Sequence, residues 1–540
     1  VLVPAIMKSL LKKIKNHFSL YSERYIFLIL VIISVGSACY YFQDGKQLLY
    51  GDALSRMNIS RKIIDNLTPG FAQLGNVWLP LPQILMVPLT ANRYLWHSGL
   101  AGAIISMTSY VIGGFFLYKN LKIITSSLVA SVLSLSIYAL NINLLYLQTT
   151  AMSEAIFLCF FCIALFYFTS WIQTSDNLKL MPAATAVSAM CLIRYEALAI
   201  LLASIPMVFV YILIKEKKYS SAEGNTIIYA TLACFGFLLW TLYLAAIFGD
   251  PFFWKNYYAG THSAVDASNQ TQVFRHQLNF FEATWKYITA TIWMNGLIPS
   301  IFALLGIPVL LYKSFKDRSF YFLPVLLSTA IFLFMVLTLQ RNTPIDQPAL
   351  TIQALLSQHT NNFSEFNIRY GILMLPMITL LSAYLFNLKH IIVKFMLVGL
   401  FSIQIYSCIQ PYHTFIYQIP VSITHTITQS TPEEKEMVKW LRKNYTGGLI
   451  LISALRHDPQ MLELGYDYKT YIHEGAGKYW KESMINPQKY ATWIIFDAYE
   501  KEDRVTKFVS KLNVLNIYYT QVYSKDGIVI FKIKTTPLVN

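Results

Sequence analysis

From Ile26 to Cys408, apolar residues come in long blocks separated by short polar breaks. The blocks fall at 25–42, 78–90, 98–118, 122–140, 154–172, 180–193, 197–214, 226–247, 297–312, 320–339, 370–387 and 391–409. A helix rises 1.5 Å per residue, so about 20 apolar residues cross a hydrocarbon layer about 30 Å thick. The block at 78–90 is short and holds Pro80, Pro82 and Pro88, and it reads as re-entrant, interfacial or a broken start to the next span. Roughly eleven full spans remain. The pattern predicts an all-α polytopic membrane protein.

After Cys408 the pattern changes. "TPEEKEMVKWLRKNY" opens on Thr-Pro with acids in its first turn, a helix signature. "GGLILIS", "ATWIIFDAY", "VLNIYYTQVY" and "GIVIFKIK" read as strands, with "RVTKFVSKL" as a helix between two of them. The pattern predicts a small α/β domain over 430–540. At the other end, 1–24 includes "MKSLLKKIKNHFSLYSERY", basic with interleaved Leu, Ile and Phe. It reads as a cytoplasmic amphipathic segment on the inner leaflet, ahead of an uncleaved first span. The span region is 25–429.

Composition agrees: 55% of residues are hydrophobic and 13% charged. The net charge of +15 would suit nucleic acid, but its Lys and Arg sit mostly in short loops between apolar blocks. Lys8, Lys12, Lys13, Lys15, Lys119, Lys122, Lys179, the run 215–218, and the clusters at 313–318 and 388–394 all fall on one side. By the positive-inside tendency that side is cytoplasmic. The segments 43–97, 248–296 and 340–368 and the tail then face out across the plasma (inner) membrane. Long outer loops in a compact protein usually carry function. The six cysteines lie inside apolar blocks, in no metal-like pattern and no disulfide framework.

Ionisable residues at membrane depth are expensive and tend to be functional. Asp52 follows the first span, Glu154 opens "EAIFLCFFCIALF", Arg194, Tyr195 and Glu196 sit in "CLIRYEALAILL", Asp250 in "FGDPFFW", and Arg369 and Tyr370 open "NIRYGILMLP". All map to the outer side. Arginines hold phosphate bidentately and a carboxylate serves as a general base, so the mixture suits sugar transfer from a lipid phosphate. Each residue also has a plainer reading. Arg194 and Glu196 can be a snorkelling ion pair, Arg369 an interfacial anchor, Asp250 a turn initiator and Glu154 a helix cap. In 50–70, Asp52 and Arg56 share one helix face and Leu54, Met57, Ile64 and Leu67 another. That stripe predicts an interfacial helix along the outer surface, ending at Pro69-Gly70.

"YGDALSRMNISRKIIDNLTPGFAQLGNVWLPLP", "TTAMSEAIFL", "LIRYEAL", "FGDPFFW" and "NIRYGILMLP" together resemble GT-C-type membrane glycosyltransferases. The likeness is to the bacterial and archaeal branch related to protein O-mannosyltransferases and the lipid A aminoarabinose transferase, and it covers about 20–410. The resemblance implies a polyprenyl-phosphate sugar donor, a hydroxyl-bearing acceptor (protein, lipid or polysaccharide), an extracytoplasmic site and inversion. It places the essential acid at Asp52. The O-mannosyltransferases often carry an Asp-Glu pair there, whereas this chain has Asp52-Ala53, so Glu154 is the candidate second carboxylate. Arg369, then Arg194, match the arginines near the donor phosphate, with Glu196, Arg56, Tyr370 and Tyr195 as further binding positions. No cofactor is predicted, and a divalent metal is left open. The competing class is a transporter or flippase, or a non-catalytic binder, of lipid-linked sugars. A transporter should show repeat symmetry and mid-membrane charges, and neither is evident.

Overall fold

The computed structural model describes the backbone at residues 2–43, 45–75, 78–253, 278–317, 319–340, 368–409, 432–498 and 503–534, and the side chains of those residues except 2–20, 408–409 and 455–456. The expected outer loop 340–368 lies almost wholly outside the described residues. So do 254–277 of the loop 248–296, the stretch 410–431, and the side chains of the basic segment up to residue 20.

The chain enters on one continuous helix, α1 (Leu2–Gln43), whose apolar part is Tyr21–Gln43. A short helix follows, α2 (Gly51–Lys62), then the proline-flanked α3 (Leu81–Thr90). The bundle is built from α4 (Leu100–Thr125), α5 (Glu154–Thr174), α6 (Ala197–Glu216) and the helices Tyr219–Phe248, Leu297–Lys316 and Leu323–Gln340. Packed among them are α7 (Phe280–Asn295) and α8 (Leu375–Phe386). At the centre α4 lies along α5. A Cβ on Gly113 would sit 3.0 Å from the Cα of Cys159, so that glycine sets how closely the two backbones approach.

Among the described residues, eight helices are long and apolar enough to cross a membrane. The expectation of roughly eleven also counted the blocks at 122–140, 180–193 and 391–409 as spans. The first two give helices of 12 and 11 residues, Leu128–Ala139 and Leu180–Met190, and the third gives the shorter apolar helix Ile391–Ser407. At 1.5 Å per residue the first two reach less than ~20 Å, short of the hydrocarbon core. Apolarity alone does not separate a helix facing lipid from one packed inside a bundle. The expected loop 248–296 also needs correction, because its last part is α7. That helix opens with a capping box in which Asn279 and Glu282 satisfy each other's backbone N–H.

The tail forms a five-stranded sheet from β1 (Leu449–Leu451), β2 (Tyr471–Ile472), β3 (Ala491–Asp497), β4 (Tyr519–Lys525) and β5 (Ile528–Ile533). Its order is β2-β1-β3-β5-β4. β1 pairs parallel with β2 and β3, and β5 runs antiparallel to β3 and β4. The helix expected from Thr431-Pro432 runs Pro432–Asn444. The stretch "VLNIYYTQVY" divides instead: Val514–Tyr518 is helical and only then does β4 begin. The helix α9 (Ala454–Leu464) follows β1.

This tail is seated on α2, and the contact revises the reading of residues 50–70. Leu54 and Met57 are buried as expected, but Ile64 is 43% exposed. The helix has ended at Lys62, and the Gly70 N–H closes the turn onto the Ile63 carbonyl at 2.9 Å. Arg56, Asn58, Ser60, Arg61 and Lys62 are buried too, so α2 is covered on its polar face as well. It is wedged between α3 and α9. The Asn58 amide donates to the Asp458 carbonyl at 2.9 Å, and Asp65 accepts the Tyr468 N–H at 3.0 Å. Arg61 donates to the carbonyls of Thr90 and Ala91, both at 2.8 Å, and pairs with Asp65 at 2.8 Å. Gln73 and Arg93 add bonds to the carbonyls of Gly475 and Gly465, each at 2.7 Å.

Arg61→Ala leaves Asp65 and two carbonyls without their cation, a loss typically worth ~3–5 kcal/mol for a buried pair. Hydrogen exchange at residues 465–475 should quicken in that variant. Unchanged protection there would show that Arg61 does not hold the tail.

His473 lies in the same seam, 1% exposed, with its Nδ1 accepting the Gly475 N–H at 3.0 Å. Burial, with the nearby Lys62 ammonium adding to it, holds its pKa well below the ordinary histidine value. The unfolded chain therefore binds a proton near pH 6.5 that the folded chain refuses, and stability is lost as pH falls below that value. Melting curves between pH 5 and 8 should show this acid-side loss, and His473→Asn should flatten it. An equally steep loss in the variant would assign it to other groups.

Candidate active site

Four separate segments meet above the bundle at the end where the tail sits. Asp52 and Arg56 come from the first turns of α2. Ser153 and Glu154 start α5. Arg194 and Glu196 lie in the turn between Leu180–Met190 and α6. Arg369 and Tyr370 belong to the 3₁₀ turn Ile368–Met374 that leads into α8.

Their charged groups form one chain. Arg369 donates through Nη2 to Asp52 Oδ2 at 2.6 Å and through Nε to Glu154 Oε1 at 3.1 Å. Glu154 Oε1 also accepts from Arg194 Nη1 at 2.9 Å. Arg194 continues to Glu196 Oε1, at 2.5 Å from Nη2 and 3.2 Å from Nε, and reaches the Ser153 hydroxyl at 3.2 Å. The Tyr370 ring lies 4.7 Å from the Arg194 guanidinium and 5.5 Å from that of Arg369, and Tyr50 closes on Arg369 at 5.5 Å. Planar guanidinium groups stack on such rings while keeping their in-plane donors for carboxylates.

Exposure separates the acids. The Glu154 side chain is 0% exposed, whereas that of Asp52 is 38% exposed. The chain of ion pairs therefore reaches the surroundings at Asp52. Arg56 stands beside this chain with a different status. It is 6% exposed and rests 4.7 Å over the Trp78 ring, and its Nε and Nη1 have no hydrogen-bond partner among the described residues. A buried guanidinium with unused donors is costly unless something anionic completes it.

The sequence-derived candidates divide accordingly. Asp52, Glu154, Arg194, Glu196, Arg369 and Tyr370 come together. Glu154 and Arg194 are neither a simple helix cap nor a snorkelling pair, because both are buried and shared between segments. Tyr195 faces another way, its hydroxyl accepting the Trp240 indole N–H at 3.3 Å. Asp250 accepts the Phe252 N–H at 2.8 Å, as a turn initiator does. Arg56 shares the face of Asp52, yet the Asp52 carboxylate bonds to Arg369 instead.

Reading the sequence missed the groups that fix the 369–371 backbone. The Tyr287 hydroxyl donates to the Tyr370 carbonyl at 3.2 Å, and the Asn295 amide to the Gly371 carbonyl at 2.8 Å. A Cβ on Gly371 would stand 2.3 Å from the Ala290 carbonyl oxygen, so glycine is required where this turn meets α7. Asn279 and Glu282, three apart ahead of a helical run, are the signal that could have revealed α7.

No family model matches the chain, and no curated protein matches it. Solved structures do. ArnT from Cupriavidus metallidurans, determined bound to undecaprenyl phosphate, aligns at 11% identity with a TM-score of 0.52. The alignment covers 94% of this chain and 99% of that one. The archaeal oligosaccharyltransferase AglB from Archaeoglobus fulgidus, determined with an inhibitory peptide and a dolichol-phosphate, aligns at 11% identity with a TM-score of 0.48. That alignment covers 96% of this chain and 75% of AglB. The near end-to-end match to ArnT shows that this chain, a helical membrane bundle with a small sheet-containing tail, shares the fold of that structure.

Proposed function

We propose that this chain is an inverting membrane glycosyltransferase. It moves a sugar from a polyprenyl-phosphate donor to a hydroxyl acceptor on the outer face of the membrane. One observation carries the reading. In the cluster the one accessible carboxylate, Asp52, stands beside a buried guanidinium, Arg56, whose Nε and Nη1 have no hydrogen-bond partner among the described residues. The matched fold supports the reading without adding residue roles. The orientation is part of the proposal: N-terminus cytoplasmic, site and tail extracytoplasmic, with Lys119 and Lys122 at the opposite end of the bundle.

In this reading the donor phosphate lies on Arg56. Arg194 is a weaker candidate for that task than its sequence position suggests, since Nε, Nη1 and Nη2 are all engaged. Arg369 donates through Nε to Glu154 and through Nη2 to Asp52, and its Nη1 has no hydrogen-bond partner among the described residues.

The step itself is one displacement. The acceptor hydroxyl gives its proton to Asp52, and its oxygen forms a bond to the anomeric carbon. The bond from that carbon to the phosphate oxygen breaks, and the electron pair leaves on the polyprenyl phosphate. Retention would need a carboxylate acting as nucleophile on the sugar. Glu154 is enclosed and bonded to two arginines, so here it positions Arg369 and Arg194 rather than touching substrate.

Asp52→Asn keeps the shape and removes the base. Transfer should fall ~10²–10⁴-fold while donor still co-purifies, since general-base assistance is typically of that size. Near-normal turnover in a folded Asp52→Asn protein would move the base elsewhere.

Arg56→Ala should weaken donor binding by roughly 2–5 kcal/mol, the range for losing one side of a buried charge-assisted contact. Titration with a polyprenyl-phosphate sugar measures it. Unchanged donor affinity, with the protein folded, would return the phosphate to Arg369.

A further inference from the structure

At the far end of α4 and α5 from Glu154, a pocket of about 290 Å³ is lined by Glu23, Lys119, Lys122, Ser126, Phe166 and Gln173. We propose that it binds the phosphate headgroup of an anionic phospholipid in the leaflet opposite the catalytic cluster.

Position is the first argument. From Glu154 to Gln173 along α5, a helix rising 1.5 Å per residue covers about 28 Å. That is close to the ~30 Å thickness of a bilayer's hydrocarbon core. A pocket at this level stands among headgroups.

Charge is the second. The pocket has two ammonium groups and one carboxylate. Lys122 Nζ meets Glu23 Oε1 at 3.1 Å, with the two side chains 40% and 44% exposed. Such an exposed pair is worth little and yields readily to a stronger anion. Lys119 has no carboxylate partner among the described residues. Its ammonium lies 4.8 Å from the Phe166 ring and 5.7 Å from those of Phe115 and Phe116. Ring faces are weak partners for an ammonium, and Lys119 has no hydrogen-bond acceptor among the described residues, so phosphate oxygens can supply one. Ser126 ends α4 in the left-handed conformation, φ 50°, and brings a hydroxyl to the rim.

The third argument selects a lipid over a free anion. One helical turn from Glu23 toward the membrane interior, Phe27 is 42% exposed and packs edge-on against Phe115 at 5.8 Å. An amphiphile can place its phosphate between the lysines and its acyl chains along this aromatic wall. Inorganic phosphate gains nothing from the wall.

The test uses the full chain purified in detergent and titrated with phosphatidylglycerol or phosphatidylcholine, with retained lipid read by native mass spectrometry. Wild type should hold one phosphatidylglycerol in preference to phosphatidylcholine. Lys119→Gln should lower its association constant about 5-fold and the double variant with Lys122→Gln about 30-fold, as expected for one and two lysines near an anionic headgroup. Glu23→Gln should raise it, because Lys122 is released. That variant removes no cation and carries the test if the double variant fails to fold. Equal retention of the two lipids, or no response to the lysine variants and to Glu23→Gln, overturns the proposal. Displacement of phosphatidylglycerol by inorganic phosphate alone would also overturn it, by showing a simple anion site.

Discussion

The Glu154 carboxylate, closed off from solvent at the head of the central helix, is the constraint around which the rest of the site is arranged. A buried carboxylate is tolerated when cations and hydrogen bonds surround it. Here two arginines supply them from segments 40 and 215 residues away in sequence. Both arginines bond Glu154 Oε1, which ties the 194–196 turn and the 368–374 turn to α5, while the buried Oε2 has no hydrogen-bond partner among the described residues. The same arginines then carry the pairing outward, to Glu196 on one side and to Asp52 on the other. Such a network is weak evidence of stability, since well-packed apolar groups often do as well. Its consequence is geometric: Arg369 arrives at Asp52 in one orientation.

The backbone around Arg369 needs comparable support. A 3₁₀ turn has poorer hydrogen-bond geometry than an α-helix and is used in short pieces. Tyr287 and Asn295 of α7 hold its carbonyls, and Gly371 lets the two segments touch. A guanidinium displaced by a fraction of an ångström would lose one of its two carboxylates, so rigidity here bears directly on the state of Asp52.

The helix α2 does two tasks on one short stretch. Its first turn presents Asp52 and Arg56 toward the cluster. Its last turn presents Asn58, Arg61 and Lys62 to the tail, with Asp65 just beyond. Charges that would be unusual at the mouth of a membrane span are therefore divided between the ion-paired cluster and the contact with the tail. Movement of the tail against the bundle would be felt at Asp52 through less than four turns of helix.

Much of this was legible along the chain. Long apolar blocks declare membrane helices because hydrocarbon admits little else, and the change of pattern after Cys408 declares a different kind of packing. Asp52, Glu154, Arg194, Glu196 and Arg369 stand out because charge at such depth is rarely idle. The Arg194–Glu196 pair lies two residues apart and was legible, but the pairing of Arg369 with Glu154 and Asp52 was not, because those contacts join residues 215 and 317 positions apart. Tertiary packing made Asp52 the accessible acid and Glu154 the enclosed one. It spent the donors of Arg194 on Glu196, Glu154 and Ser153 and left those of Arg56 free over Trp78. It also turned the expected interfacial stripe of α2 into a helix buried on both sides, since the polar face that a sequence assigns to water was covered by the tail. Periodicity along one chain reports which faces avoid water, and only the packed structure decides what replaces it.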